Sequence, residues 1–134
     1  MIKLIEELKN EHKLILDILD QVKTLGISSR SGRETLLSAR DLLIAHMTKE
    51  DEMYYPELRR AAENSRDLKI MLDYFLKDME DVSNKAMHLF SKYSQGGDEA
   101  EFAGEIKLLY VTLRDRIQTE EHVLFSKFNP EHLS

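Results

Sequence analysis

The sequence predicts an all-α fold, an up-down-up-down antiparallel four-helix bundle. Apolar residues recur at intervals of three and four along four segments of the chain, and this spacing places them on one face of a helix. Short polar segments separate the four, and a short connection favours antiparallel packing of successive helices. A chain of 134 residues, 42% hydrophobic and 33% charged, suits one globular unit, so residues 1–134 are expected to form a single domain.

The first two helices are predicted over residues 2–24 and 33–62, with the segment GISSRSG between them. The apolar face of the first is interrupted by a histidine, in the series Ile5, Leu8, His12, Ile15, Leu19 and Val22. Ser31 and Glu34 form a capping-box pattern at the start of the second helix. Its buried face is predicted to comprise Leu36, Ala39, Leu43, His46, Glu50 and Tyr54. Pro56 is expected to kink or end this helix, because proline lacks an amide donor.

The third helix is predicted over residues 66–94, starting from Ser65, and the fourth follows the turn SQGGD with Asp98 as its N-cap. The third presents an almost wholly apolar face, made of Leu68, Leu72, Phe75, Met79, Val82, Ala86, Leu89 and Tyr93. The fourth mixes apolar and charged positions in the series Phe102, Ile106, Leu109, Leu113, Arg116, Glu120 and Leu124.

The polar interruptions of these faces are expected to meet at one level of the bundle. Folding the chain back about the centre of each loop places residue 12 opposite about residue 45, residue 48 opposite about 80, and residue 79 opposite about 114. The polar residues at this level are His12, His46, Glu50, Arg116 and Glu120, with Met79 beside them. Because buried charges are costly unless they are paired or bind a metal, this layer is the candidate site.

Composition excludes several other functions. A net charge of −6 without a basic stripe argues against nucleic-acid binding. The N-terminus lacks the apolar run of a signal peptide, and no segment has the length of a membrane span, so a cytoplasmic protein is expected. The absence of cysteine leaves nitrogen and oxygen as metal ligands. No nucleophile constellation or phosphate-binding glycine loop is present, and catalysis is not predicted.

The candidate layer contains an internal repeat. His46 and Glu50 lie one helical turn apart, and Arg116 and Glu120 have the same spacing. The similarity extends over residues 46–58 and 116–128: each has an acidic residue after the glutamate and then an apolar, aromatic run. In this alignment the aromatic pair Tyr54 and Tyr55 matches the pair Leu124 and Phe125.

These residues resemble the hemerythrin family, in its bacterial HHE-type branch. The similarity is carried by the EH pair ending at His12, by His46 and Glu50 followed by a tyrosine and Pro56, and by Glu120 with its acidic neighbour. The resemblance covers nearly the whole chain and implies a four-helix bundle that holds a non-heme, usually di-iron centre. It implies His12, His46, Glu50 and Glu120 as metal ligands.

Two positions depart from the family pattern. Met79 stands where the family places a histidine on the third helix, and Arg116 stands where it places one on the fourth. The resemblance therefore implies that half of a two-metal site survives. We expect the Arg116 guanidinium to replace the second cation and to neutralise Glu50 and Glu120, since arginine stays charged and binds carboxylates.

Two functions remain open from the sequence. The first is a non-heme metal-binding protein that senses or binds oxygen, nitric oxide or metal through a mononuclear or degenerate iron site. The same ligands would accept zinc, and the sequence does not identify a protein partner. The second is a metal-free regulatory or interaction module with a buried Arg-Glu-His network. A ferritin-type oxidase is disfavoured because no histidine follows a glutamate by three residues. The remaining histidines, His88, His122 and His132, are predicted to be solvated.

Overall fold

The computed structural model describes residues 2–125, which fold into helices joined by short turns. The α-helices are α1 (Ile2–Leu25), α2 (Arg30–Lys49), α3 (Tyr55–Ala62), α4 (Arg66–Tyr93) and α5 (Glu99–Thr119). A first π-helical segment, Glu50–Tyr54, joins α2 to α3, and a second, Glu120–Phe125, continues α5. The chain thus forms four rods, and the predicted all-α four-helix bundle is confirmed. No helix among the described residues has the length and apolar character needed to cross a membrane.

The four rods pack in a ring, with successive rods as neighbours. Helix α1 packs against α2 and α5, and α4 packs against α5 and against the rod that contains α2 and α3. The interior is divided into two apolar clusters. One runs from Ile15 and Leu43 towards the turn between α1 and α2, and the other surrounds Leu8, Tyr54 and Phe75 at the opposite end. The predicted polar layer lies between these two clusters.

Helix ends agree with the sequence at two of three predicted N-caps. The side chain of Ser65 accepts a hydrogen bond from the Leu68 amide, and that of Asp98 accepts one from Glu101. The second helix starts earlier than predicted, because Ser29 is its N-cap and accepts from the Gly32 amide at 3.0 Å. The expectation of a start at Ser31 was wrong: Ser29 has the extended backbone that an N-cap requires, and Ser31 already lies within the helix.

Both π segments begin at a glutamate of the candidate site. In the first, the amide of Tyr55 donates to the carbonyl of Glu50, five residues earlier, and the rod continues past Pro56. The wide turn accommodates a proline that has no amide to donate. Proline does not account for the second π segment, since the aligned residue there is Ser126. Two successive aromatic or apolar residues are buried at the end of each segment, namely Tyr54 with the first residue of α3, Tyr55, in one case and Leu124 with Phe125 in the other.

Replacing Gly32 with alanine is expected to destabilise the bundle by about 1–3 kcal/mol. Gly32 lies in the first turn of α2, beneath the backbone of Gly26, and a Cβ there would lie 1.9 Å from the Gly26 carbonyl oxygen. The two nearest atoms belong to the Gly26 backbone, which cannot move aside as the end of a flexible side chain could. The free energy of unfolding in urea measures the effect.

Gly104→Ala is the matched control for this substitution. Gly104 lies inside α5, and among residues 2–125 a Cβ there would meet no heavy atom within 4 Å other than those of the surrounding helix backbone and its chain neighbours. Alanine should therefore stabilise the protein by about 0.5–1 kcal/mol through helix propensity alone. Equal stabilities of the two variants would show that the close approach of α2 to the α1–α2 turn has no energetic weight.

Candidate metal centre

Four buried polar side chains meet in the layer between the apolar clusters. His12 comes from the middle of α1, His46 from the end of α2, and Glu50 and Glu120 from the first residues of the two π segments. None is more than 4% exposed. One potential ligand atom from each residue lies within 4.8 Å of all the others. The structure therefore brings together the four residues that the sequence predicted as metal ligands.

Each histidine faces one glutamate inside the layer. Nε2 of His12 lies 3.0 Å from Oε1 of Glu120, and Nε2 of His46 lies 3.0 Å from Oε1 of Glu50. The two imidazole rings approach each other edge to face, with their centroids 4.6 Å apart. All four inward atoms are nitrogen or oxygen atoms of the kind that bind a divalent transition metal.

The outer nitrogen of each histidine is held by a second carboxylate. Nδ1 of His46 lies 2.7 Å from Oε1 of Glu11, and the other oxygen of Glu11 accepts from Lys49, also at 2.7 Å. Nδ1 of His12 lies 2.6 Å from Oε2 of Glu121. A carboxylate behind a ligating histidine fixes the orientation of the ring and directs the Nε2 lone pair towards a metal.

The pKa values of the two inner carboxyl groups are shifted in opposite directions. Burial, followed by the negative charge of Glu120, raises the pKa of Glu50 well above its ordinary value. Burial also acts to raise the pKa of Glu120, but the hydrogen bond and the positive charge of His12 outweigh it and leave that pKa below its ordinary value. Burial lowers the pKa of His46, and the charge of His12 lowers it further. These shifts favour the neutral forms of Glu50 and His46 and the ionised form of Glu120.

Two adjacent tyrosines of the first π segment and α3 form the wall beside the carboxylates. The hydroxyl of Tyr55 donates to Oε2 of Glu120 at 2.6 Å, and that of Tyr54 donates to the Leu124 carbonyl at 3.2 Å. Burial and the charge of Glu120 raise the pKa of Tyr55 well above its ordinary value, so this phenol remains a hydrogen-bond donor. The two halves of the internal repeat are thus linked directly by side chains.

A small cavity of about 20 Å³ adjoins the four ligands. Its remaining wall is largely apolar and is made by Ile15, Leu43, Met47, Phe75, Met79, Leu113, Arg116 and Ile117. A volume of this size holds about one water-sized molecule. The cavity therefore has room for one ion or one water-sized molecule among these side chains.

Met79 and Arg116 line this cavity, but Arg116 does not make the contacts that the sequence suggested. Its Nη1 atom lies 2.6 Å from Oδ2 of Asp78, and its side chain is 30% exposed. Within residues 2–125 no ion pair joins Arg116 to Glu50 or Glu120, so the expectation that it neutralises both was wrong. Asp78 competes successfully because it lies at the partly exposed edge of the layer, where the guanidinium keeps contact with water.

Asp78 relates to Arg116 as Glu11 relates to His46. Each acid directly precedes the inward-facing position of its helix, and each holds the side chain on the next rod at 2.6–2.7 Å. Glu11, Glu121, Tyr55 and Asp78 were not predicted as parts of the site. The acidic neighbours of His12 and Glu120 were visible in the sequence, but their partners depend on the packing of the rods. His88 and His122 are exposed as predicted, and His132 lies outside the described residues.

Fold and site together define a four-helix bundle with a buried histidine and carboxylate cluster in its core. A family model for the hemerythrin HHE cation binding domain matches residues 3–128. The chain belongs to this family. No curated protein and no solved structure matches it.

The donor set fits the cation that the family is named for. Oε2 of Glu50 is buried and has no hydrogen-bond partner among the described residues. Such an atom costs about 1–3 kcal/mol of stability if it remains unsatisfied, and a cation would satisfy it. The two outer carboxylates also place both histidines in the orientation that metal binding requires.

Glu11→Gln is expected to weaken metal binding by roughly 10- to 100-fold. The carboxylate would stabilise a metal-bound His46 by accepting a hydrogen bond from its Nδ1–H group, and the side-chain amide of glutamine is a weaker acceptor. Hydrogen bonds with Lys49 and His46 hold the pKa of Glu11 below its ordinary value despite burial, so it is ionised at neutral pH. Calorimetric titration with cobalt(II) measures the change.

Glu7→Gln serves as the control. Glu7 contacts the same Lys49 at 2.8 Å and has no hydrogen bond or ion pair with either histidine in the described part of the chain. It should retain the affinity of the wild type. Equal losses of metal affinity in both variants would mean that the effect comes from Lys49 or from the overall charge, and not from the hydrogen bond between Glu11 and His46.

Proposed function

We propose that this protein binds one divalent metal ion, iron(II) under physiological conditions, and that the centre binds or senses a small neutral molecule such as dioxygen or nitric oxide. The convergence of His12, His46, Glu50 and Glu120, all buried and with ligand atoms within 4.8 Å of one another, carries the proposal. Two imidazoles with carboxylates are typical ligands of mononuclear non-heme iron(II), and zinc(II) accepts the same donors.

The residues that border the cavity are the reason for proposing one bound ion instead of two. Met79 offers only a thioether, a soft and weak ligand for iron(II). Arg116 keeps its proton at any ordinary pH and has no lone pair to donate, and its charge is already engaged by Asp78. The half of the layer beside α4 and α5 therefore lacks the nitrogen ligands of a second site.

The walls of the cavity support a small neutral ligand. Apart from the four ligands and Arg116, its lining consists of aliphatic, aromatic and thioether side chains. Such walls favour an apolar diatomic molecule over an ion, because they offer no hydrogen bonds in place of water. A surface groove between the first π segment and α4 shares Met47, Glu50 and Met79 with the cavity, so the groove and the cavity lie on opposite sides of these side chains.

Reconstitution of the metal-free protein with iron(II) in the absence of air tests the proposal. We expect one iron per chain and an increase in Tm of about 10 °C when free metal is at 100 times its Kd. Nitric oxide should then change the optical and paramagnetic resonance spectra of the iron(II) form and leave the zinc(II) form unchanged. Two tightly bound irons per chain would refute a mononuclear centre, and a Tm that is insensitive to metal and chelator would refute metal binding.

A metal-free regulatory module is the second candidate, and one observation favours it. Each inner histidine is already paired with one glutamate oxygen at 3.0 Å. A buried polar network of this kind can specify packing without adding stability. Chelator treatment separates the candidates: an unchanged Tm supports the module, and a lowered Tm supports the metal centre.

A further inference from the structure

The two glutamates of the candidate metal centre occupy equivalent positions of the internal repeat but have different surroundings. Glu50 and Glu120 each begin a π segment, and each faces a histidine at 3.0 Å through Oε1. Their Oε2 atoms differ. Oε2 of Glu120 accepts a hydrogen bond from the Tyr55 hydroxyl at 2.6 Å, whereas Oε2 of Glu50 has no partner in residues 2–125.

The internal repeat explains this difference. Tyr55 follows Glu50 by five residues, and its counterpart Phe125 follows Glu120 by five. Each aromatic residue belongs to one half of the repeat, and Tyr55 reaches across to the glutamate of the other half. Phe125 has no hydroxyl to offer Glu50, and its ring instead stacks on His12, with 5.8 Å between the centroids and 5° between the planes.

We propose that Tyr55 is a positioning residue that limits Glu120 to one metal-ligating oxygen and leaves Glu50 as the carboxylate that changes its coordination. The inference rests on the metal centre proposed above. With Oε2 held by Tyr55, Glu120 presents only Oε1 on the side of His12. Glu50 retains two available oxygens beside the cavity that it lines, so it would be able to hold a metal ion through one or both of them.

Tyr54 provides a matched control for the loss of the Tyr55 hydroxyl. It is adjacent to Tyr55 and fully buried, and its hydroxyl also donates one hydrogen bond, to the carbonyl of Leu124. Loss of either hydroxyl removes one buried hydrogen bond between the same two rods. Only the loss of the Tyr55 hydroxyl releases an oxygen of a ligand carboxylate.

Cobalt(II) loading of the wild type, Tyr55→Phe and Tyr54→Phe tests this role. Visible absorption of cobalt(II) becomes weaker as its coordination number increases. We expect Tyr55→Phe to bind cobalt(II) with a visible absorption band weakened by about half or more, and with a Kd changed by roughly 10-fold or more, in the range for residues that orient metal ligands. Tyr54→Phe should retain the spectrum and the Kd of the wild type even if both variants unfold at a lower temperature.

The outcomes distinguish this inference from the proposed function. If the wild type binds cobalt(II) and the two variants have the same spectrum, Tyr55 is a structural residue only and the inference is overturned. If the wild type binds no metal, the proposed function fails and the inference fails with it. A spectral change in Tyr55→Phe alone supports both.

Discussion

His46→Gln is expected to reduce metal affinity by at least about 100-fold while the bundle remains folded. Replacing a residue that hydrogen-bonds to a ligating histidine already lowers metal affinity by roughly 10- to 100-fold, so loss of the ligating nitrogen itself should lower it further. Glutamine is polar, is close to histidine in length and can still donate to Glu11, which lies 2.7 Å from the imidazole. Helical circular dichroism should therefore be retained, and calorimetric titration with iron(II) or cobalt(II) gives the affinity.

His88→Gln is the matched control for this variant. His88 is an exposed histidine on α4, apart from the four ligands of the buried layer. Its replacement should leave metal affinity and stoichiometry unchanged. Wild-type affinity in His46→Gln would contradict the assignment of the centre, and equal losses in both variants would indicate binding at surface histidines.

The sequence was sufficient to predict the level at which the polar side chains meet. The periodicity of three and four residues identified the inner faces of the helices, and all the members of the first predicted face are buried. Because short loops force successive rods to be antiparallel, the distance of His12 and His46 from their shared turn was enough to place them side by side. Their ring centroids are in fact 4.6 Å apart.

The orientation of side chains at the edge of the layer could not be obtained in the same way. Periodicity places Arg116 on the inner face, but a long flexible side chain selects its partner by geometry and by access to water. Asp78 lies on a different rod, 38 residues away, and nothing in the local sequence ranks it above Glu120 as a partner. The contact between Tyr55 and Glu120 depends on the wide turns at both glutamates, which helical periodicity does not predict.

The two halves of the repeat also differ in the side chain that the supporting acid holds at the edge of the polar layer. In one half an acid on α1 holds an imidazole, which can turn a lone pair inward. In the other half an acid on α4 holds a guanidinium, which has none. The supporting acid is thus present in both halves, and the two halves differ in whether the side chain that it holds can donate a lone pair.

The double variant Met79→His/Arg116→His is expected to bind two metal ions per chain where the wild type binds one. Both positions line the cavity beside Glu50 and Glu120, so the introduced imidazoles would face the carboxylates from the side of α4 and α5. Asp78 already contacts residue 116 at 2.6 Å, as Glu11 contacts His46 at 2.7 Å. It is therefore placed to accept the outer N–H of the new imidazole. Metal analysis after reconstitution with iron(II) and gel filtration measures the stoichiometry.

Adding Asp78→Asn to the double variant tests whether the second site arises for this reason. Loss of the supporting carboxylate should weaken the second ion by roughly 10- to 100-fold and leave the first nearly unchanged, because His12 and His46 keep Glu121 and Glu11. Each single variant, with only one new nitrogen, should remain at one ion per chain. A stoichiometry of one in the double variant would mean that Met79 and Arg116 are not what limits this bundle to a single ion, and that the spacing of the rods limits it instead.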